Sequence, residues 1–179
     1  MGPRLTGHPD IAKISFTGST ETGKHVLRSA ADTVKRVTLE LGGNDAAIIL
    51  PDADWKPIIP QLFWGAIGTS GQWCVGIKRL YVHSSFHKGF VEAFVDYAKQ
   101  QKLGDGLDPT VTIGPVQNKM QFDKLKSFLD DIKANGQKIA LGGEIDESQQ
   151  GYFIPVTVVD NPPEDARIVQ EEQFCQIPN

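Results

Sequence analysis

Short apolar runs alternate with longer amphipathic segments along the chain. The runs predict β-strands because they are rich in β-branched residues and end in turn residues; they are 11–16, 36–41, 46–50, 79–83, 138–143 and 153–159. The amphipathic segments carry apolar residues at helical spacing and predict helices; they are 20–35, 55–67, 85–102 and 118–136. Strands alternating with helices predict an α/β architecture with a largely parallel sheet.

Composition changes this picture little. The chain has 179 residues, 40% of them hydrophobic and 22% charged, with a net charge of -4. This balance is typical of an ordinary globular protein, and without a basic cluster it predicts no nucleic-acid partner. The longest apolar runs are too short to span a bilayer, and the N-terminus lacks the apolar core of a signal peptide. We therefore expect no membrane association and a cytoplasmic protein.

The two cysteines, Cys74 and Cys175, leave one structural alternative open. They can form a single disulfide, although nothing else in the sequence is typical of a secreted protein. The four histidines show no metal-ligand spacing with either cysteine, so the sequence predicts no metal.

A glycine-bearing segment after the first predicted strand nearly matches a phosphate loop. Gly18, Gly23 and Lys24 fit the spacing, but His25 stands where a magnesium-binding Ser or Thr is required. A P-loop is one interpretation and a plain strand–helix turn is another. The segment still supports an inference weaker than a complete P-loop, namely a phosphate site at a helix N-terminus with Ser19 or Thr20 as the cap.

Two residues have a chemical and a structural interpretation side by side. Glu40 ends a predicted strand before a Gly-Gly turn, where a carboxylate serves as a general base or is simply solvated. Cys74 is either a small buried hydrophobic residue or a nucleophile, which needs its thiolate stabilised and donors for an oxyanion. Neither residue, taken alone, distinguishes a catalytic role from a structural one.

Five segments in register resemble the signature segments of the aldehyde dehydrogenase superfamily. They are FTGSTETGK (16–24), LELGGND (39–45), SGQWC (70–74), IGPVQN (113–118) and IVQEEQF (168–174). Glu40 and Cys74 also have the spacing of that family's glutamate and cysteine motifs. The likeness extends from about residue 8 to residue 174.

The resemblance implies NAD(P)-dependent oxidation of a small-molecule aldehyde to a carboxylic acid, through a thiohemiacetal and a thioester. Cys74 would be the nucleophile and Glu40 the base for deacylation. The resemblance also implies a set of cofactor-binding residues, with NAD or NADP as cofactor: Gly18, Ser19, Leu41, Gly42, Glu172 and Phe174. It further implies a homo-oligomer or association with a homologue.

The chain departs from the family pattern at both ends. It begins just before FTGS, and EEQFCQIPN stands where the family reads E-E-x-F-G-P, with Cys175 for the glycine and Gln176 for the proline. We therefore expect a chain truncated at both ends, with residues 1–42 as the remnant of a Rossmann-like NAD(P)-binding domain and residues 43–179 as a partial catalytic domain. Two alternatives follow: a binding module without redox activity, or a cofactor-independent esterase or thioesterase using Cys74 and Glu40.

Overall fold

A computed structural model describes residues 2–179. The chain separates into two compact units, one ending at Gly43 and the other extending from Asn44 to Asn179. The boundary lies one residue from the one predicted. The assignment of the units to a cofactor-binding and a catalytic domain stays a prediction.

The first unit is a strand–helix–strand arrangement preceded by a short helix. Its elements are α1 (Gly2–Thr6), β1 (Lys13–Thr17), α2 (Thr20–Ala31) and β2 (Arg36–Glu40). β1 and β2 pair in parallel, with Thr17 opposite Glu40. Val26 and Ala30 of α2 are buried, because helical spacing turns both toward the strands.

The second unit contains the remaining elements, in which helices again separate most of the strands. They are β3 (Asp45–Ile49), α3 (Ile59–Ile67), β4 (Ile77–Val82), α4 (His87–Ala98), α5 (Lys119–Ala134), β5 (Ile139–Leu141), β6 (Val158–Val159) and α6 (Arg167–Gln170). A 3-10 helix, Lys56–Ile58, leads into α3, and another, Gly68–Gly71, follows it.

Parallel pairing predominates, as the alternation of elements predicts. β3 pairs with β4 in parallel, whereas β5 pairs with β6 antiparallel. The α/β class is confirmed, but the strands within residues 2–179 form three two-stranded pairs instead of one continuous sheet.

The C-terminal residues take part in the backbone hydrogen bonding of the second unit. The Asn179 carbonyl accepts a bond from the Leu80 N–H at 2.7 Å, and the Gln176 carbonyl accepts one from Thr157 at 3.1 Å. Much of the strand predicted at 153–159 lacks a regular ladder, because its neighbour in this region is the irregular segment 176–179. Only β6 remains as a strand there.

Two apolar clusters form the core of the second unit. The first packs α3 against α4 and centres on Phe63 and Phe94, whose ring centroids lie 5.7 Å apart. The second packs α5, with Phe128 and Ile132 fully buried, against the segment from 154 to 177. Full burial of each such side chain contributes about 1.5–3 kcal/mol. The chain segment that holds Cys74 joins α3 to β4, and both elements pack on the first cluster.

Some predicted bounds are too long. The helix predicted over 20–35 ends at Ala31, since Val34 adopts a left-handed backbone (φ 51°) and is solvent-exposed. The sequence pattern did not predict the short helices α1 and α6. Among residues 2–179, no helix combines the length and the hydropathy that crossing a bilayer requires.

Candidate active site

In the first unit, three of the predicted site residues meet at the carboxyl end of the parallel strands. β1 and β2 end in register, and the N–H of Gly18 donates to the Glu40 carbonyl at 3.0 Å. Ser19 follows directly and begins α2. The Glu40 side chain is exposed at this edge, so its carboxylate is accessible to a water molecule.

Ser19 caps α2. Its backbone is extended (φ −68°, ψ 149°), and its hydroxyl oxygen accepts a hydrogen bond from the Thr22 N–H at 3.2 Å. The predicted cap is confirmed, and Lys24 of the phosphate-loop interpretation forms an ion pair with Glu21 at 3.3 Å on the helix surface.

Leu41 and Gly42 follow β2. Leu41 packs on α2 at Gly23, where a Cβ would lie 2.8 Å from the leucine Cδ2. Gly42 is exposed. Leu41 is therefore held by the helix that Ser19 caps, which couples its position to the turn at Gly18.

In the second unit, a strained turn carries Cys74 between α3 and β4. Thr69, Ser70 and Gly71 have φ angles of 54°, 57° and 67°, all in the left-handed region. Such angles cost about 1–3 kcal/mol for a non-glycine residue. The turn therefore persists only because contacts from elsewhere in the unit hold it.

The segment 113–117 provides two of those contacts. The buried Ser70 hydroxyl donates to the Gly114 carbonyl at 3.0 Å. The side-chain oxygen of Gln72 accepts from the Gln117 N–H at 2.9 Å. The third and fourth motifs of the sequence therefore meet in space, and one anchors the other.

Glu172 and Phe174 lie on a segment fastened to α5. The Gln121 side chain donates to the Gln173 carbonyl at 2.7 Å, and Lys124 Nζ donates to the Glu172 carbonyl at 2.8 Å. Phe174 has a left-handed φ of 57°. Hydrogen bonds from α5 to the backbone carbonyls of Glu172 and Gln173 thus fix the positions of both predicted cofactor-binding residues.

Lys78 joins these segments, and the motifs did not indicate it. Its side chain is 1% exposed, and its ammonium donates to the Trp73 carbonyl at 2.7 Å and the Gly76 carbonyl at 3.1 Å. Nζ lies 5.9 Å from the centroid of the Phe174 ring. The one signal in the sequence is a lysine next to Arg79 near the start of a predicted strand.

The two cysteines differ in accessibility. Both are free thiols, so the disulfide alternative is wrong. Cys74 is partly exposed, whereas Cys175 is buried, and burial raises the pKa of the Cys175 thiol to about 12. A neutral buried thiol is a poor nucleophile, which leaves Cys74 as the candidate.

Glu40 and Cys74 lie in different compact units, so their pairing stays a prediction. The residues brought together are Gly18, Ser19, Glu40 and Leu41 in the first unit. In the second unit they are Cys74, Lys78 and Phe174. Within the part of the chain that the structure describes, no cluster of three or more potential metal ligands occurs.

The sequence matches a family model described as the aldehyde dehydrogenase family over residues 1–177. An aldehyde dehydrogenase from a Fusarium species is 42% identical over 178 residues, which is 99% of this chain and 38% of that protein. The chloroplastic betaine aldehyde dehydrogenase of Beta vulgaris is 38% identical over 97% of this chain and 35% of its own length. The chain thus spans little more than a third of the length of these relatives.

Solved structures show the same likeness. Betaine aldehyde dehydrogenase from Staphylococcus aureus, in complex with NAD+, has a TM-score of 0.92 and 37% identity over 99% of this chain and 36% of that one. A mutant of aldehyde dehydrogenase C from Pseudomonas syringae, in complex with NAD+ and octanal, has a TM-score of 0.94 and 32% identity over 99% of this chain and 37% of that one.

Proposed function

The chain belongs to the aldehyde dehydrogenase family, and we propose that Cys74 and Glu40 serve as nucleophile and deacylating base in the NAD(P)-dependent oxidation of an aldehyde to a carboxylic acid. The named relatives include betaine aldehyde dehydrogenases and a complex with octanal. Because these aldehydes differ in charge and length, the proposal extends to an aldehyde and not to a particular one.

The presentation of Cys74 is the observation that most supports this function. The partly exposed thiol stands on a turn in which the left-handed Ser70 is held by Gly114 and the following Gln72 by Gln117. A nucleophile gains from such preorganisation, because a fixed sulfur does not lose conformational freedom on reaching the carbonyl carbon. The hydrogen bonds from Gly114 and Gln117 supply this preorganisation here.

The β1–α2 turn fits the phosphates of a dinucleotide. An exposed Gly18–Ser19 turn opens into a helix of 12 residues, whose first N–H groups have no intrahelical carbonyl to bind. Such a helix N-terminus favours an anion. When bound, NAD or NADP supplies the hydride acceptor of the reaction.

The chain's own residues carry the remaining steps. The Cys74 sulfur attacks the aldehyde carbon, and we propose that the Cys74 backbone N–H donates to the oxyanion that forms. After oxidation the acyl group remains on sulfur as a thioester. Glu40 then removes a proton from water, the water oxygen adds to the thioester carbonyl, and the C–S bond breaks to release the acid.

Two substitutions separate the proposed roles. Cys74→Ser is expected to abolish NADH formation with a panel of aldehydes. Glu40→Gln is expected to permit acylation but slow deacylation by at least about a hundredfold, so that mass spectrometry detects the acyl group on the Cys74 peptide. Cys175→Ser is the matched control and is expected to retain activity.

The alternatives give different results in the same assays. A cofactor-independent esterase loses ester cleavage with Cys74→Ser but does not respond to NAD(P). A binding module associates with a homologue, as measured by light scattering, without binding the cofactor. Absence of NADH formation from a folded chain that does bind NAD would contradict the proposal.

A further inference from the structure

A buried ammonium group lies directly behind the turn that carries Cys74. Lys78 Nζ donates to the carbonyls of Trp73 and Gly76, at 2.7 and 3.1 Å, and these residues flank Cys74 on either side. One side chain therefore ties together both arms of the turn.

The surroundings of the ammonium are built to accept it. A Cβ at Gly76 would lie 2.8 Å from Nζ, so glycine leaves the room that the ammonium occupies. The Phe174 ring, 5.9 Å away, offers a cation–π contact. An unpaired buried charge is costly, and these partners offset part of that cost.

The electrostatics of Lys78 include the candidate nucleophile. Burial lowers the pKa of Lys78, while the carboxylates of Glu172 and Asp45 and a thiolate at Cys74 act in the opposite direction. Electrostatic interaction is mutual, so a positive charge on Lys78 also acts on an anion at Cys74.

We propose that Lys78 is the positioning residue of Cys74, whose ammonium fixes the turn from Trp73 to Gly76 and keeps a positive charge beside the sulfur. The inference rests on the proposed role of Cys74 as a nucleophile. It also explains why a lysine occupies this buried position in β4, since an apolar residue there would avoid the burial of a charge.

Alkylation of the free thiol tests the proposal without aldehyde or cofactor. Iodoacetate is an anion and iodoacetamide is neutral, so the ratio of their rate constants at Cys74 reports the local charge and not the exposure of the thiol. Mass spectrometry of the two cysteine peptides separates Cys74 from Cys175. Urea unfolding of the same samples reports whether the second unit stays folded, because Cys175 itself packs against the Cys74 turn at Gly71.

Three variants sharpen the test. Lys78→Met removes the charge and the donors, Lys78→Gln removes the charge but keeps donors, and Lys78→Arg keeps both. We expect the iodoacetate-to-iodoacetamide ratio to fall about threefold or more in the first two variants and to stay within about twofold in the third. Lys35→Met is the matched control, because Lys35 is also buried and donates to the His8 carbonyl at 2.6 Å, in the other unit.

An unchanged ratio in Lys78→Met and Lys78→Gln, with a cooperative urea transition like that of the parent chain, would overturn the proposal. Loss of the cooperative urea transition in both variants would overturn it as well, since Lys78 would then support the whole unit and not the Cys74 turn. Because the readout needs no turnover, loss of dehydrogenase activity and loss of this charge effect are measured independently.

Discussion

Three consecutive residues before Cys74 hold their backbone where L-amino acids are rarely found. Thr69 is the extreme case, because a β-branched side chain at positive φ crowds its own backbone. Gly71 escapes this crowding, but it has a second constraint. A Cβ there would lie 2.3 Å from the Cys175 carbonyl carbon and 2.5 Å from its oxygen. Strain and close approach coincide next to the candidate nucleophile.

Gly71→Ala is therefore expected to be severe. The added methyl group meets backbone that cannot move aside, so we expect the free energy of unfolding to fall by about 3 kcal/mol or more. Gly136→Ala is the matched control, because the φ angles of Gly136 and Gly71 are similar, at 64° and 67°. Nothing lies within 4 Å of the Cβ position at Gly136. Gly136→Ala is expected to lower the free energy of unfolding by about 1 kcal/mol. Urea unfolding followed by tryptophan fluorescence measures both, and equal losses would contradict the steric explanation.

At the scale of single elements, α2 combines a structural and a proposed binding role at one end. Ser19 satisfies the Thr22 N–H through its hydroxyl, while Glu21 in the first turn forms an ion pair with Lys24 on the helix surface. Leu41 packs on the same helix at Gly23. The cap therefore lies at the turn proposed for the phosphates, and the same helix holds Leu41, one of the predicted cofactor-binding residues.

Two substitutions of Ser19 separate these roles. Ser19→Ala removes the capping oxygen and is expected to lower the free energy of unfolding by about 1 kcal/mol. Ser19→Asp keeps a capping oxygen and is expected to preserve stability, but its negative charge repels phosphate and weakens NAD binding by about fivefold or more. Thermal unfolding and calorimetric titration with NAD measure the two effects. Equal NAD affinity of Ser19→Asp and the parent chain would exclude phosphate binding at this turn.

At the scale of the molecule, segments far apart in sequence converge on the Cys74 turn within the second unit. Residues 113–117 hold it by hydrogen bonds, and Cys175 and Gln176 pack against Gly71. The segment then continues to Asn179, whose backbone exchanges hydrogen bonds with the β4 residues Lys78 and Leu80. Burial of Cys175 is a consequence of this convergence.

Stability is expected to decline in alkaline solution because of Cys175. Burial raises its pKa from 9.0 to about 12, so the folded chain keeps a proton that the unfolded chain releases. The resulting stability is complete below pH 9.0 and is lost as the pH rises toward 12. Between about pH 8 and about pH 10 the loss amounts to about 1 kcal/mol.

Urea unfolding at the two pH values measures this loss. Cys175→Ala removes the titrating group, so the difference in unfolding free energy between the parent chain and this variant is expected to shrink by about 1 kcal/mol at the higher pH. Cys74→Ala is the control. Because this variant retains Cys175, it is expected to lose the same part of its unfolding free energy at the higher pH that Cys175 accounts for in the parent chain. A constant difference between Cys175→Ala and the parent chain would show that the thiol does not titrate as described.

Local pattern was sufficient for the longer helices, for most of the strands and for the residues that lie in motifs, but not for α1, α6 or Lys78. Helical spacing and the cap at Ser19 predicted α2, and the order and spacing of the motifs indicated Glu40 and Cys74. These features depend on neighbours in sequence, which a single chain displays directly.

Only the tertiary structure decided what surrounds Cys74. It showed that Cys175 is a buried free thiol, that Gly114 and Gln117 anchor the turn, and that Lys78 lies behind it. Each of these facts depends on which distant segments pack together, and on how much water they exclude. Burial and long-range hydrogen bonds are properties of that packing, so no local pattern in the sequence specifies them.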